Sequence, residues 1–399
     1  MTPGEPVDIR NRFVRMKRTP LLVLGVTVAL AASACGSESG GGGGGGDGLP
    51  ETIKVDAISE TTGFAGPAGQ ASVNGQKVAV AEINDTGFLG GSKLELEYKD
   101  TGSQPARGVA LLNQSIQSGA KVVLGSILST VVAAQGPLAE RAKVPMIYLS
   151  SSGEFAQGSS YVWAATPPAE QYFHWSAEYL AAKNAKNIAI IYNNDVSSTQ
   201  KWATTVWPPL AQENGLTIAA TEATPTSAQD ASGVVSKVLG RSPDAVVVLA
   251  SGTANNAIVL ALKRANYTGI IAGSIGMAGA INPLKEQGYG VVWPTNFSNQ
   301  VQTKEATNFV SLYEKQFNAK PNNYAAAAYD EVWFLARALK AAGKLDREAI
   351  NNALKQVGNE GFNGALGKVT YKDNLSQAPG LLIEWRDDLE NPVKGYGTT

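Results

Sequence analysis

The chain has 399 residues with 33 Lys or Arg and 34 Asp or Glu, so its formal net charge is −1. This length favours two globular domains, and the balanced charge without a long basic run argues against a nucleic-acid partner. A single Cys (Cys35) and a single His (His174) are too few for a zinc, haem or iron–sulfur site, and we expect no metal or other cofactor.

The first segment has the pattern of a secretory signal peptide. An uncharged apolar stretch over residues 21–34 follows five positive charges, namely Arg10, Arg12, Arg15, Lys17 and Arg18. As a helix this stretch would span about 21 Å, which is short of the roughly 30 Å hydrocarbon core of a bilayer. We therefore predict that residues 1–34 are a signal peptide, with a buried core helix as the alternative.

The apolar stretch ends in small residues directly before Cys35, in the order Leu30-Ala31-Ala32-Ser33-Ala34-Cys35. This arrangement resembles the bacterial lipoprotein lipobox, which implies that Cys35 is lipidated and anchors the protein to the membrane. Plain secretion with a free Cys35 is the alternative. Residues 36–50 include seven consecutive glycines and cannot bury side chains. We expect residues 35–50 to form the lipidated Cys and a flexible tether.

From residue 51 onward, short β-branched segments alternate with helical patterns, which predicts the α/β class with parallel sheets covered on both faces. The predicted strands are 52–58, 94–98, 121–124, 145–149, 187–192, 245–249, 270–272 and 381–385. Two apolar stripes at helical spacing are assigned to the core: Val109, Leu112 and Ile116, and Tyr329, Val332, Ala336 and Leu339.

Several short motifs are found along the body of the chain. They are Ala81-Glu82-Ile83-Asn84 within a glycine-rich stretch over 75–91, Leu94-Glu95-Leu96-Glu97-Tyr98-Lys99-Asp100, Val123-Leu124-Gly125-Ser126, Pro321-Asn322-Asn323-Tyr324, Ala328-Tyr329-Asp330, and Gly361-Phe362-Asn363-Gly364 with Gly367. In this order and spacing they resemble the leucine/isoleucine/valine-binding group of the type I periplasmic binding proteins, which serve ABC importers.

The resemblance implies two doubly wound lobes joined by three crossovers, near Thr166, Thr295 and Lys372. Residues 51–165 plus 296–371 would form the N-terminal lobe, and residues 166–295 plus 372–399 the C-terminal lobe. Ligand would bind in the cleft, and the closed form would be recognised by an ABC permease. Closure requires contact with both lobes, because only a difference in affinity shifts the open–closed balance.

The resemblance also implies that the loops after the third and fourth strands hold the ligand's carboxylate. Here these loops carry the hydroxyls of Ser129, Thr130, Ser150 and Ser152. Free N–H groups at helix N-termini add to such an anion cradle without any arginine. The alternative is that these serines only cap their helices.

One departure from the family bears on the ligand. Amino-acid-binding members place an acidic residue after a later strand, and this chain has Ile275 in that stretch. A buried ammonium without an anionic partner costs several kcal/mol, which argues against a free α-amino acid. Glu170 and Asp195 are the candidates for a replacement anion.

The expected pocket walls are small. Ala68, Ser197 and Ser251 stand where the family often has aromatic residues, which leaves room for a larger, aromatic ligand, whereas Tyr324 aligns with an aromatic wall.

An aromatic run follows the first crossover. Tyr172 and Trp175 are candidates for stacking on the ligand, with plain helix packing as the alternative, and His174 is expected at the rim.

The sequence contains neither a G-x-S-x-G nucleophile motif nor a P-loop, and we expect no catalytic residue. We predict a monomeric, lipid-anchored, extracytoplasmic solute-binding protein of an ABC importer. Its ligand would be a small carboxylate- or amide-bearing metabolite, either amino acid-like or an aromatic or aliphatic acid. The alternatives are a sensory lipoprotein that presents its ligand to a membrane receptor and an exported hydrolase.

Overall fold

The computed structural model describes residues 48–395. The predicted signal peptide and Cys35 lie outside the described residues, as does nearly all of the glycine-rich segment. Within 48–395, no helix is both long and apolar enough to cross a membrane.

Fifteen strands form two sheets over the described residues. In chain order they are β1 (Thr52–Ser59), β2 (Lys93–Asp100), β3 (Val123–Leu124), β4 (Met146–Tyr148), β5 (Val162–Ala164), β6 (Asn187–Asn193), β7 (Thr217–Thr224), β8 (Ala245–Leu249), β9 (Ile270–Gly273), β10 (Val292–Thr295), β11 (Phe362–Gly364), β12 (Gly367–Lys372), β13 (Leu375–Gln377), β14 (Leu381–Arg386) and β15 (Leu389–Gly395). The first sheet has the order β11-β12-β13-β5-β4-β3-β1-β2 and the second the order β15-β14-β10-β9-β8-β6-β7.

Eleven α-helices cover the sheets in this part of the chain. They are α1 (Gly66–Asp85), α2 (Pro105–Gln117), α3 (Ser129–Ala142), α4 (Phe173–Ala182), α5 (Ser197–Lys201), α6 (Trp207–Glu213), α7 (Ser232–Leu239), α8 (Thr253–Arg264), α9 (Lys304–Phe317), α10 (Asn323–Ala342) and α11 (Arg347–Glu360). Helices α1–α3 and α9–α11 pack on the first sheet and form the first lobe with it. Helices α4–α8 pack on the second sheet and form the second lobe.

The predicted α/β class and two-lobe architecture are confirmed, and each of the eight predicted strands is present. Strand β8 shows why apolar runs predict strands in this chain. All five of its residues are apolar and buried, because both faces of the sheet are covered. The sheets are mixed, however, and not purely parallel. Strands β11–β13 pair antiparallel in the first sheet, and β14 pairs antiparallel with β10 and β15 in the second.

The chain changes lobe three times. The first two changes follow β5 and β10, close to the predicted positions Thr166 and Thr295. The third lies between Gln377 and Leu381, later than the predicted Lys372. The reason is β13, which pairs with β12 and also aligns Leu375 with Ala164 of β5, so it extends the first sheet before the chain leaves it.

The first lobe contains an unusually close helix pair, α1 and α10. A Cβ atom at Gly75 of α1 would lie 2.0 Å from the carbonyl oxygen of Ala325 in α10, so only glycine permits this contact. Gln76 and Glu331 are buried in the same interface, where Gln76 Nε2 donates to Glu331 Oε2 at 2.8 Å. The two helices therefore pack backbone to backbone.

Candidate ligand-binding site

A cavity of about 440 Å³ lies between loops of the two lobes, within the range typical of small-molecule sites. The first lobe contributes the loops after β1, β3, β4 and β5 and the start of α10. The second lobe contributes the loops after β6, β8 and β9. These loops follow the carboxyl ends of the parallel strands, where ligands of doubly wound sheets bind.

The described residues that line the cavity include no Asp, Glu, Lys, Arg or His. Its polar groups are hydroxyls, asparagine amides and the indole N–H of Trp202. Burial raises the pKa of Tyr324 to about 12, so this side chain is also neutral. The cavity can therefore form hydrogen bonds with a ligand but offers no ion pair.

Ser129 lies where the two lobes meet. Its Oγ accepts a hydrogen bond from Ser197 Oγ at 3.0 Å and donates one to Ser198 Oγ at 3.3 Å. Ser129 is the first residue of α3, whose N-cap is Leu128 and has no side-chain cap. The hydroxyl of Ser129 is thus not used to cap its helix, and the free N–H groups of that helix end remain beside it.

Thr166, which follows β5, and Trp202, which follows α5, also line the cavity. The Thr166 hydroxyl and the Trp202 Nε1–H have no hydrogen-bond partner, although these side chains are only 5% and 3% exposed. Ser150, which follows β4, also lines the cavity. We call Ser129, Ser150, Thr166 and Trp202 the hydroxyl end of the cavity. The first three follow β3, β4 and β5, which are neighbours in the first sheet, and Trp202 comes from the second lobe.

Three asparagines, Asn256, Asn322 and Asn323, also line the cavity. Asn322 Oδ1 caps α10 by accepting from the Ala325 N–H at 3.1 Å. Its Nδ2 lies 2.8 Å from where a Cβ of Gly279 would be, and Gly279 has φ +71°, so glycine is needed there for two reasons. Oδ1 of Asn256 and Oδ1 of Asn323 have no partner.

Six of the nine predicted site residues line the cavity: Ala68, Ser129, Ser150, Ser251, Ile275 and Tyr324. Apolar surface is also contributed by Phe64, Leu149 and Val196. The sequence analysis missed Thr166, Trp202 and the asparagines. Two sequence features could have identified some of these residues. Thr166 marks the predicted first crossover, and Asn322-Asn323 belongs to one of the motifs that carry the family resemblance.

The other three predicted site residues, Thr130, Ser152 and Tyr172, do not line the cavity. Ser152 is fully buried just before a short 3-10 helix over Gly153–Phe155, and its carbonyl accepts from the Tyr148 hydroxyl at 2.7 Å. Tyr172 is 3% exposed and donates to the Ala378 carbonyl at 2.9 Å, so it packs against the third connection between the lobes. For Tyr172, packing is the interpretation that the geometry supports.

The candidate replacement anions do not line the cavity either. Glu170 forms an ion pair with Lys201 at 2.9 Å. Asp195 accepts hydrogen bonds from the Thr226 N–H at 3.0 Å and the Thr226 hydroxyl at 2.8 Å. Each carboxylate is thus engaged in its own lobe.

His174 and Trp175 are also outside the cavity lining. Their rings pack against each other with centroids 4.6 Å apart, and Lys394 Nζ lies 5.1 Å from the Trp175 ring. Stacking of Trp175 on a ligand in this cavity is therefore not supported.

Comparison with known proteins gives a consistent picture. Residues 52–388 match the family model described as "Periplasmic binding protein". The Leu/Ile/Val-binding protein BraC3 of Rhizobium johnstonii is 24% identical over 339 residues, which cover 84% of this chain and 91% of the relative.

Two solved structures share the fold. The branched-chain amino acid transporter substrate-binding protein LivJ of Streptococcus pneumoniae, in complex with isoleucine, superposes with a TM-score of 0.79 at 24% identity, covering 87% of this chain and 99% of the other. A solute-binding protein of an ABC transporter from R. palustris, in complex with benzoate, has a TM-score of 0.79 at 17% identity and coverages of 86% and 96%. With the family model spanning nearly all of the described residues, the chain belongs to the periplasmic binding protein family.

Proposed function

We propose that this protein is the solute-binding component of an ABC importer and that its ligand is a small organic acid without an ammonium group. The family assignment implies an extracytoplasmic location and a binding role. The observation that carries the choice of ligand is the absence of any charged side chain from the described lining of the cavity.

A free α-amino acid does not suit this cavity. Its ammonium group would be desolvated without an anionic partner, because Ile275 is apolar and both Glu170 and Asp195 are engaged elsewhere. A carboxylate, by contrast, needs only hydrogen-bond donors and a helix N-terminus. The hydroxyl end offers Thr166 and Trp202, whose donors have no partner, and the N-terminus of α3, where Ser129 would turn its hydroxyl proton from Ser198 to the ligand.

The comparisons contain precedents for both ligand classes, since one relative of similar fold was solved with isoleucine and another with benzoate. The apolar walls from Phe64, Leu149 and Tyr324 suit a ring or a branched chain equally. The lack of an anionic partner is what favours the acid. A neutral carboxamide ligand is compatible with the same lining.

The proposal includes movement of the two lobes and a lipid anchor. We assign residues 51–165 and 296–377 to the first lobe and 166–295 and 378–395 to the second, with the boundary after β13 taken from the sheet pairing. Cys35 would carry the anchor, and the glycine-rich segment would let the protein reach its permease.

The ligand class is tested by thermal unfolding and calorimetric titration of the mature protein with benzoate, aliphatic acids, short amides, leucine and isoleucine. A ligand at one hundred times its Kd stabilises the folded state by about 2.7 kcal/mol. We expect stabilisation by acids and none by leucine or isoleucine. The opposite result would refute the proposed ligand class.

The transport role is tested separately, by uptake of the labelled acid in a strain that lacks the gene. Uptake should fall and be restored by the wild-type gene. Undiminished uptake would refute the importer role and favour a sensory one.

A further inference from the structure

A buried carboxyl group, that of Glu60, joins three loops of the first lobe. Glu60 follows β1, is fully buried and does not line the cavity. Its Oε1 accepts hydrogen bonds from the hydroxyls of Thr101, at 3.0 Å, and Ser126, and its Oε2 accepts from the Ile127 N–H at 3.0 Å. Thr101 follows β2, and Ser126 and Ile127 follow β3. Because β1 lies between β3 and β2 in the sheet, one side chain holds the loops after three neighbouring strands.

The two hydroxyls around Glu60 are oriented by further hydrogen bonds. Ser126 Oγ accepts from the Leu128 N–H at 2.9 Å, and Thr101 Oγ1 accepts from the Ser103 N–H at 3.1 Å. Each hydroxyl therefore directs its own proton to Glu60. Burial raises the pKa of Glu60 above its ordinary value, and the hydrogen bonds that it accepts act in the opposite direction, towards the carboxylate.

The loop after β3 connects this network to the cavity. Ile127, Leu128 and Ser129 line the cavity, and Ser129 is the first residue of α3. The side chains of Ile127 and Leu128 are apolar, so Glu60 and Ser126 hold the loop through its backbone N–H groups. The free N–H groups at the start of α3 take their direction from this loop.

Helix α1 holds the backbone of Glu60 in place. A Cβ atom at Gly69 of α1 would lie 1.9 Å from the Glu60 carbonyl oxygen, so the helix packs directly on the backbone of this residue. The carboxyl group therefore projects from a fixed point. A side chain that is itself fixed can fix in turn the loops that it binds.

We infer, on the basis of the proposed function, that Glu60 is a positioning residue for anion binding. It does not touch the ligand. It fixes the loop over residues 126–128, so that the N–H groups at the start of α3 point to the ligand's carboxylate. Hydrogen bonds to a charged group are about twice as strong as those between neutral groups, and they weaken when the donor is misaligned. Displacement of this loop therefore costs a carboxylate more affinity than it costs the corresponding carboxamide.

The test is a calorimetric titration of the mature protein with two acids and their carboxamides, namely benzoate with benzamide and 3-methylbutanoate with 3-methylbutanamide. Glu60→Gln keeps the size of the side chain but has one acceptor oxygen in place of two, so it cannot accept from Ile127 and from both hydroxyls. We expect the Kd of the acid to rise about 10-fold in this variant and the Kd of its carboxamide about 2-fold.

Glu140→Gln is the matched control. Glu140 lies near the other end of α3, outside the cavity lining, and it also accepts from a hydroxyl, that of Ser159, and from a backbone N–H, that of Tyr161 at 2.9 Å. This variant should keep the wild-type Kd values. Ser126→Ala removes one link to the loop while Glu60 stays in place. It should reproduce the effect of Glu60→Gln, and it serves if that variant does not fold.

Amide hydrogen exchange of the free protein adds a readout that needs no ligand. The amides of Ile127 and Leu128 should exchange about 10-fold faster in Glu60→Gln than in the wild type or in Glu140→Gln. Unchanged exchange, an acid Kd that does not rise in the folded variants, or an equal loss for acid and carboxamide would overturn the inference and leave the proposed function intact. Binding of neither acid by the wild type would overturn both.

Discussion

Lys201 Nζ lies 3.1 Å from Glu154 Oε2, and this ion pair joins α5 of the second lobe to the first lobe just after β4. Burial alone would lower the pKa of Lys201, but the hydrogen bonds and charges of Glu170 and Glu154 together raise it. Lys201 therefore stays protonated at neutral pH. Its bond to Glu170 lies within the second lobe, so only the bond to Glu154 depends on closure.

We expect Glu154→Gln to weaken ligand binding by about 1.5- to 5-fold, because a half-exposed ion pair contributes about 0.2–1 kcal/mol. The loss should shrink at 1 M salt, where screening is strong. Glu222→Gln, which removes the partner of Lys237 within the second lobe, is the control and should leave the Kd unchanged. Equal effects of Glu154→Gln and Glu222→Gln would contradict a role in closure.

Ser129→Ala should raise the Kd for a carboxylate ligand by about 10- to 100-fold, because a hydrogen bond to a charged group contributes about 1.5–3 kcal/mol. The variant also removes the hydrogen bonds to Ser197 and Ser198 across the lobes. Ser236→Ala, on an exposed face of α7, is the matched control. Calorimetric titration measures both, and retained affinity in Ser129→Ala would place the carboxylate elsewhere.

Ile275→Glu should reduce binding of organic acids by more than about tenfold, because it places a like charge in a cavity that has none. The measurement belongs at pH 8, since burial raises the pKa of an introduced carboxyl group. Leucine should begin to bind, because its ammonium gains a partner.

Ile275→Gln separates size from charge, and it should retain acid binding better than Ile275→Glu does. If Ile275→Glu binds acids as well as the wild type does, the ligand does not lie beside Ile275.

Cys35→Ala should move the protein from the membrane fraction to the soluble fraction, because Cys35 is the residue that we propose carries the lipid anchor. Ser37→Ala in the following segment is the control and should remain with the membranes. Cell fractionation with immunodetection is sufficient. Continued membrane association of Cys35→Ala would rule out an anchor at this residue.

Glu331 predicts a pH dependence of stability. Burial raises its pKa well above the ordinary value, and Oε1 of both Glu331 and Gln76 lacks a partner. A protonated Glu331 would donate to Gln76 Oε1 and complete a reciprocal pair with the existing hydrogen bond. Burial also raises the pKa of Asp330 and Glu390 to about 7.

These pKa values are raised in the folded state. The neutral carboxyl groups therefore stabilise the fold fully at a pH below the pKa values of the same groups in the unfolded chain, which are about 4–4.5. This stabilisation is lost as the pH rises through the folded values, which for Asp330 and Glu390 are about 7. The Tm should therefore fall between pH 5 and pH 8. Glu331→Gln can form the same reciprocal pair at any pH and should reduce this fall, whereas Glu95→Gln on the exposed edge of β2 should not. An unchanged slope in Glu331→Gln would show that Glu331 does not contribute.

Sequence patterns identified the strands that are apolar because both faces are covered. The missed strands lack that pattern for physical reasons. Strand β7 pairs only with β6 and mixes polar with small apolar residues, as an edge strand can. Strand β10 contains Pro294, and β5 has only three residues. Strand β13 is equally short, which is why the third crossover was placed too early.

Several of the cavity residues that the sequence analysis identified, such as Ser150 and Ile275, follow shortly after strand ends. Trp202 and Asn323 could not be found in this way, because a polar atom without a partner becomes visible only when the whole fold surrounds it. Trp202 also begins a π-helical turn over Trp202–Val206, a local change of helical register that follows from no motif. Tyr172 illustrates the opposite error. The sequence analysis proposed it as a ligand contact, but it packs in the interior and does not line the cavity.

The contact of Gly75 with the Ala325 carbonyl has a consequence for how the ligand is first met. Ala68 in α1 and Asn323 and Tyr324 in α10 stand on two helices whose backbones touch, so rotation of the lobes cannot alter the distances among them. In the proposed binding mode, this side of the cavity would keep its shape in the open protein, and closure would then add the contacts of the second lobe.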